Sequence, residues 1–257
     1  MGATLASIGS VFQKKGLLWI NYRKEKDQKY IKLLFLWVLG VLISYIISAV
    51  PISIASKTLP PHIITAMSGW GIVVIIIMSY FFLKEKIYRS DLFYSALIVA
   101  CTLVIGLLSK TVSSLDYNGV FLIILFIAPF AVLIPASSKA LGDKIRASLF
   151  AAYAGTMGGI SIVFFNLLMR YFFTGGLSRV PLYFLFLYPI AAISGAISEQ
   201  ASYRYGDMPV VSSIRLGLYI IYPVICSWLL FNTGVDIYQL LAIIIMTFSC
   251  YGIFKKR

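Results

Sequence analysis

Charge is what this chain has least of. Only 12% of its 257 residues are charged, while 60% are hydrophobic. A soluble domain carries about twice that share of charge. Histidine occurs once, as His62. With one histidine, no HExxH and no paired intramembrane aspartates, neither a nucleophile–base pair nor a ligand cluster can be assembled. An enzyme is therefore not expected, and neither is a cofactor. The three cysteines, Cys101, Cys226 and Cys250, all fall inside apolar runs. They read as small buried side chains, not as a disulfide set or a metal site. Alternation of polar with apolar residues is missing too, which excludes an outer-membrane barrel. Residues 1–13 have no basic start, so no cleavable signal peptide is expected.

What the chain has instead is long oily runs. Residues 34–56, 62–83, 92–109, 117–137, 149–169, 181–203, 208–231 and 235–254 are eight such blocks. Helices of about 20 residues cross about 30 Å of hydrocarbon. The opening segment GATLASIGSVF is apolar but is followed at once by Gln13, Lys14 and Lys15. Its lysines can snorkel, and residues 2–20 are taken as a further crossing. The fold class expected is an all-α polytopic membrane protein of about nine transmembrane helices.

The formal charge of +13 does not point to nucleic acid. Alternate connections, 14–33, 84–90, 138–148, 204–207 and the tail 255–257, hold seventeen of the 22 lysines and arginines. The opposite side holds Lys57, Lys110, Arg170 and Arg179, and Arg215 completes the count. That bias is a positive-inside signal. It predicts a multi-pass protein of the cell membrane, with the C-terminus cytoplasmic and, given nine crossings, the N-terminus outside.

An internal repeat is also visible. An offset of 148 pairs Pro61 with Pro209, Gly69 with Gly217 and Ser79 with Ser227, and sets Tyr80 against Trp228. After a three-residue deletion, Asp91 meets Asp236. Crossings 2–4 then correspond to crossings 7–9, five later. Five is odd, so the repeats run oppositely through the membrane, as in many transporters. The other reading is that any two oily hairpins with a proline turn align this well. The expected plan is 4+5: residues 1–110 as a first repeat of four helices, and 117–257 as a second of five. The first helix of the second repeat has no counterpart ahead of residue 1.

The run TAMSGWGIVVIIIMSYFFLKEKIYRSDLFYSALIVACTLVIG resembles a signature of the drug/metabolite transporter superfamily (EamA-like). That signature is a helix ending in Leu-Gly-Glu-Lys or similar, a short basic turn, then a glycine-containing helix. Leu83, Lys84, Glu85 and Lys86 occupy it, with Lys84 where the usual glycine would be. The opening SIGSVFQKKGL is similar to that of the NIPA-like magnesium transporter branch. ISGAISEQASYRYGDMPVVSSIRLGLYIIYP is similar to the superfamily's seventh and eighth helices, through Gln200 and Pro223. The resemblance implies a secondary transporter moving a small solute by alternating access. A NIPA-like magnesium or other divalent cation transporter or channel is the alternative. Mg²⁺ wants oxygen ligands and sheds water reluctantly, and the clearly intramembrane carboxylate here is Glu199 alone. Asp91, Asp116 and Asp236 fall at block edges, where a solvated cap is the simpler role.

The candidate path residues follow from polarity inside oily runs. Glu199 lies eight residues before Asp207 and Arg215 eight after it. Both therefore sit roughly 12 Å along adjacent antiparallel helices from one turn. A lone charge there is costly, and pairing or a wet cavity lowers the cost. In one reading the pair is a neutral tie across the hairpin; in the other it lines a vestibule and is remade as solute arrives. Gln13, Trp70, Asn166, Gln200, Tyr203 and Tyr219 are the remaining candidates. Gly155 and Gly159 read as close helix packing, and His62 as an interfacial side chain.

A non-transporting membrane scaffold is the other alternative, but it needs no polar residues converging at mid-span. The partners expected are a small-molecule or ion substrate and membrane lipid, not nucleic acid, with the chain acting as a monomer or homodimer.

Overall fold

The computed structural model of the chain describes residues 1–18, 28–56, 59–108, 117–137, 141–176, 181–231 and 236–255. Among these, regular structure is entirely helical. Helix α1 is Gly2–Gly16. Helix α2 is Gln28–Val41, a π turn Leu42–Ile47, and Ala49–Ala55. Helix α3 runs Pro61–Ala66, a 3₁₀ turn Met67–Gly69, Trp70–Met78 and a π turn Ser79–Leu83. Helix α4 is Arg89–Leu108, and α5 is Gly119–Ile127 with Phe130–Ser137. Then come α6, Asp143–Gly175; α7, Leu182–Tyr205; α8, Met208–Phe231; and α9, Ile237–Lys255.

Among the described residues, seven helices are long and apolar enough to cross a membrane. They are α2 to α8. With 15 residues, α1 is shorter, and the described apolar stretch of α9 is Ile237–Met246. Apolar side chains cover the outside as well as the inside: Phe35, Phe81, Leu107, Ile134, Leu182 and Phe248 are all more than 60% exposed. Facing hydrocarbon, that surface needs no cover. The multi-pass membrane class therefore stands. Of the counted charges, Arg23, Lys24, Lys26, Lys57, Lys110, Lys139, Arg179, Lys256 and Arg257 lie outside the described residues, as does Asp116.

The departures from regular helix have local causes. Pro51 has no N–H to give the carbonyl of Ile47, and the turn before it widens into the π turn, closed by Ser48 N–H to Ile43 C=O at 3.1 Å. The second π turn ends at Lys84, which adopts φ +57°, the left-handed region. Glycine is the residue that fits there at least cost. In α5, Pro129 separates the two pieces. Asn118 caps the first by accepting from the Val120 and Phe121 amides at 3.0 and 3.3 Å.

Packing follows a simple scheme. Helix α1 lies against α2 and α3; α6 lies against α7 and α8. Helix α3 also meets α8, and α4 meets α9. One apolar core, including Ile72, Ile98, Val211 and Ile220, joins α3, α4, α8 and α9. A second, including Leu122, Phe164, Phe184 and Cys226, joins α5 to α8. Cys101 and Cys226 are buried and free; the side chain of Cys250 lies outside the described residues. Close approach of backbones needs glycine at Gly155, where an added Cβ would sit 2.4 Å from the Arg215 carbonyl oxygen. At Gly159 it would sit 3.0 Å from the ring of Pro223. Both are packing glycines.

Candidate functional site

Glu199 is 5% exposed, on α7. Its Oε1 lies 3.3 Å from Arg215 Nη1, on α8. The same oxygen accepts from Ser10 Oγ of α1 at 3.3 Å and from the Tyr203 hydroxyl one turn on. Its Oε2 accepts from the Tyr45 hydroxyl of α2 at 2.8 Å. Four helices thus converge on one carboxylate. The π turn of α2 carries Tyr45; without the extra residue in that turn the ring would point elsewhere on the helix.

The pair lines a cleft of about 170 Å³. Helices α1, α2 and α3 wall one side with Ala6, Ser44, Tyr45 and Ser68; α6, α7 and α8 wall the other with Gly158, Tyr188, Glu199, Arg215 and Tyr219. Small residues make the room, and Phe165 with the three tyrosines gives aromatic faces. The cleft reaches the start of α1, at Gly2 and Ala3.

A second cavity, about 470 Å³, lies at the far end of α1. Lys14, Glu85, Lys144, Arg204, Asp207 and Tyr203 line it. Tyr203 therefore touches this vestibule while its hydroxyl holds Glu199 of the cleft. Below that layer, Lys14 Nζ sits 2.8 Å from Glu85 and donates to the Gly206 carbonyl at 2.7 Å. Glu85 in turn accepts the Met208 amide at 3.1 Å. Here the carboxylate meets the free N–H groups and positive dipole at the start of α8.

Gln13 and Gln200 form a separate polar chain. Trp37 Nε1 donates to Gln200 Oε1 at 3.0 Å, Gln200 Nε2 donates to Gln13 Oε1, and Gln13 Nε2 donates to the Gly40 carbonyl at 3.1 Å. Neighbours in sequence, Glu199 and Gln200 both reach α1 and α2, Glu199 through Ser10 and Tyr45 and Gln200 through Gln13 and Trp37. The eight candidates thus divide. Glu199, Arg215 and Tyr219 line the cleft; Tyr203 caps it from the vestibule; Gln13 and Gln200 tie α1 to α7 beside it. Two stand apart. Asn166 is buried and donates to the carbonyls of Leu59 and Ser56 at 2.9 and 3.4 Å, pinning the end of α2. Trp70 is 55% exposed on the outer face of α3. His62 is not interfacial: it is buried, with Nδ1 3.0 Å from Ser227 Oγ of α8.

Sequence reasoning missed Tyr45, Ser10, Trp37 and Glu85 as members of this arrangement. Tyr45 and Trp37 sit in an apolar run where their polar tips give no signal. Glu85 was visible only as part of a motif. No protein-family model, curated protein or solved structure matches the chain.

Proposed function

We propose that this chain is a secondary transporter that moves a small solute across the cell membrane by alternating access. The observation that carries the reading is the placement of two cavities toward opposite ends of α1, with the Tyr203–Glu199 contact running from one to the other and the Lys14–Glu85 tie in the wall of the vestibule. A buried, hydrogen-bonded ion pair facing a cleft is an expensive feature to keep inside hydrocarbon, and such features mark solute paths. The nine-crossing, inverted 4+5 plan belongs to the same proposal. It is supported by the packing: the trio α1, α2, α3 recurs as α6, α7, α8, while α3–α8 and α4–α9 are the pairs an interface twofold would map onto themselves. On the charge-bias topology, N-terminus outside and C-terminus cytoplasmic, the cleft faces outward and the vestibule inward. The drug/metabolite transporter resemblance fits that reading.

A divalent-cation path has less support. The cleft's one carboxylate is bound to a guanidinium, which repels a cation. Among the described residues no three His, Cys, Asp or Glu side chains gather as a ligand set.

The test uses one cysteine at Ala196, which lines the cleft, with Cys101, Cys226 and Cys250 replaced by serine or alanine. In sealed vesicles an impermeant maleimide is expected to label it from the α1-start side. Cutting the inner tie with Glu85→Gln should shift labelling toward the other side. Labelling that is one-sided and unchanged by the cut would end the transporter reading and leave a scaffold.

A further inference from the structure

The two partners of the buried pair are unequally satisfied. Glu199 receives four donors: Ser10, Tyr45, Tyr203 and Arg215. A carboxylate offers about four lone-pair sites, so Glu199 is fully subscribed. Arg215 is not. Its Nη1 meets Glu199, but its Nε is buried with no hydrogen-bond partner. A guanidinium presents five donors in a planar fork suited to a carboxylate. Arg215 lines the cleft, and its spare Nε donor is buried there beside a filled acceptor, so a guanidinium that leaves Glu199 has donors to offer. A solute that seats here brings acceptor oxygens.

We propose, on the transporter reading above, that the solute carries a carboxylate, which takes Arg215 from Glu199 and binds its fork side-on. The shape of the cleft supplies the rest of the description. Above the pair stand the aromatic rings of Tyr45, Phe165, Tyr188 and Tyr219. They fit a flat, apolar body. The volume of about 170 Å³ equals about six waters at about 30 Å³ each, so the solute is small. A phosphate head is disfavoured: it carries about −1.5 to −2 charge against a single arginine. The vestibule is consistent with an acidic solute. Lys14, Lys144 and Arg204 face Glu85 and Asp207 there, three cations against two anions.

Charge balance narrows the class to two. Glu199 and Arg215 cancel. A carboxylate that displaces Glu199 leaves one negative charge, unless the solute has an ammonium of its own or Glu199 takes up a proton. The charged or titratable groups facing Glu199 are Arg215, Tyr45, Tyr203 and Tyr219, from α8, α2, α7 and α8. The hydroxyls of Tyr45, Tyr203 and Ser10 remain with Glu199 after Arg215 leaves.

Four probes of one aromatic body separate these outcomes on the purified protein: benzoate, phenylglycine, benzylamine and benzamide, with inorganic phosphate as a fifth. Thermal unfolding is read with each. Benzoate or phenylglycine should raise the midpoint, and benzylamine, benzamide and phosphate should not. Stabilisation by benzoate alone names a monoanion; stabilisation by phenylglycine alone names a zwitterion; either supports the proposal. Glu199→Gln frees the guanidinium, and should tighten the effective carboxylate about tenfold, the worth of one hydrogen bond to a charged group. Arg215→Gln should abolish it, and the double variant Glu199→Gln, Arg215→Gln, which buries no lone charge, keeps that loss readable if the single variant unfolds. A pair that only ties the helices predicts no tightening in Glu199→Gln; the midpoint without probe falls under either reading, because the change leaves Arg215 without its counter-charge. Stabilisation by benzylamine, or by none of the five, overturns the carboxylate assignment while the two-sided labelling of Ala196→Cys still stands.

Discussion

Lys14 and Glu85 lie 2.8 Å apart, and both hold the turn between α7 and α8: the ammonium on the Gly206 carbonyl, the carboxylate on the Met208 amide. Their side chains are only 14% and 15% exposed, so the pair is worth more than a surface contact. Removing Glu85 takes the counter-charge from Lys14, which keeps the Gly206 carbonyl. Glu85→Gln is expected to cost roughly 2 kcal/mol, between the surface and fully buried cases. In the transporter reading this loss falls on the inward-closed state alone. The check is sided labelling of Ala196→Cys together with the unfolding midpoint. A drop in midpoint with no change of side would leave the pair as a structural tie and end the transporter reading with it.

At Lys84 the backbone is left-handed, φ +57°, and the side chain is exposed. The side chain contributes little there, so the strain is relieved by losing it. Lys84→Gly should stabilise by about 0.5–1 kcal/mol, after the entropy glycine loses on folding is subtracted. Lys84→Val should destabilise, because β-branching makes that region worse. Equal effects of the two substitutions on the melting midpoint would show that the turn relaxes to another conformation.

The Arg215 backbone is held by a glycine on the neighbouring helix. A Cβ on Gly155 would come 2.4 Å from the Arg215 carbonyl oxygen and 3.0 Å from Leu218 Cβ. Neither atom can swing away, so α6 and α8 must separate. Gly155→Ala should cost about 2–3 kcal/mol and disturb the guanidinium. Gly106 is the control: nothing lies within 4 Å of its Cβ position. There the same change should stabilise by up to about 1 kcal/mol through helix propensity. Opposite signs in one unfolding assay are the expected pattern.

Much of this arrangement could be read from residues alone, and the boundary is physical. Glu199 and Arg215 were legible because helical rise is constant and a short turn forces antiparallel neighbours; equal spacing from Asp207 gives equal depth. The 3.3 Å contact follows. The direction of Tyr45 was not legible. It depends on one extra residue in a π turn, and Pro51 signals a disturbance without saying how the helix absorbs it. Asn166 and Trp70 looked alike as polar groups in oily runs. Nothing in their spacing distinguishes a side chain aimed at a broken helix end from one aimed at lipid. His62 misled for a similar reason, since its hydrogen-bond partner Ser227 is 165 residues away.

Asn166 separates structural from path polarity. Its amide serves the carbonyls of Leu59 and Ser56. Asn166→Leu leaves both carbonyls without that donor and should cost about 1–3 kcal/mol. It should leave probe binding at Arg215 unchanged, because Asn166 does not line the cleft. Titration of benzoate or phenylglycine into Asn166→Leu is the measurement. A weakened Kd at an intact fold would return Asn166 to the solute path.

Tyr45 offers the cleanest measure of what the π turn contributes. Its hydroxyl is the donor to Glu199 Oε2 at 2.8 Å, and Tyr45→Phe removes that group while keeping the ring in the cleft wall. A hydrogen bond to a charged acceptor is worth about 1.5–3 kcal/mol, so that is the expected loss in the single variant. In a double-mutant cycle with Glu199→Gln the two losses should fall short of additivity by a similar amount, since each change removes the same charge-assisted contact. Additive losses would mean that the hydroxyl and the carboxylate are not coupled, and that the π turn aims Tyr45 for packing alone. The cycle also bears on transport: a carboxylate that keeps its hydroxyl donors when Arg215 departs stays ordered, and can recapture the guanidinium once the solute has left.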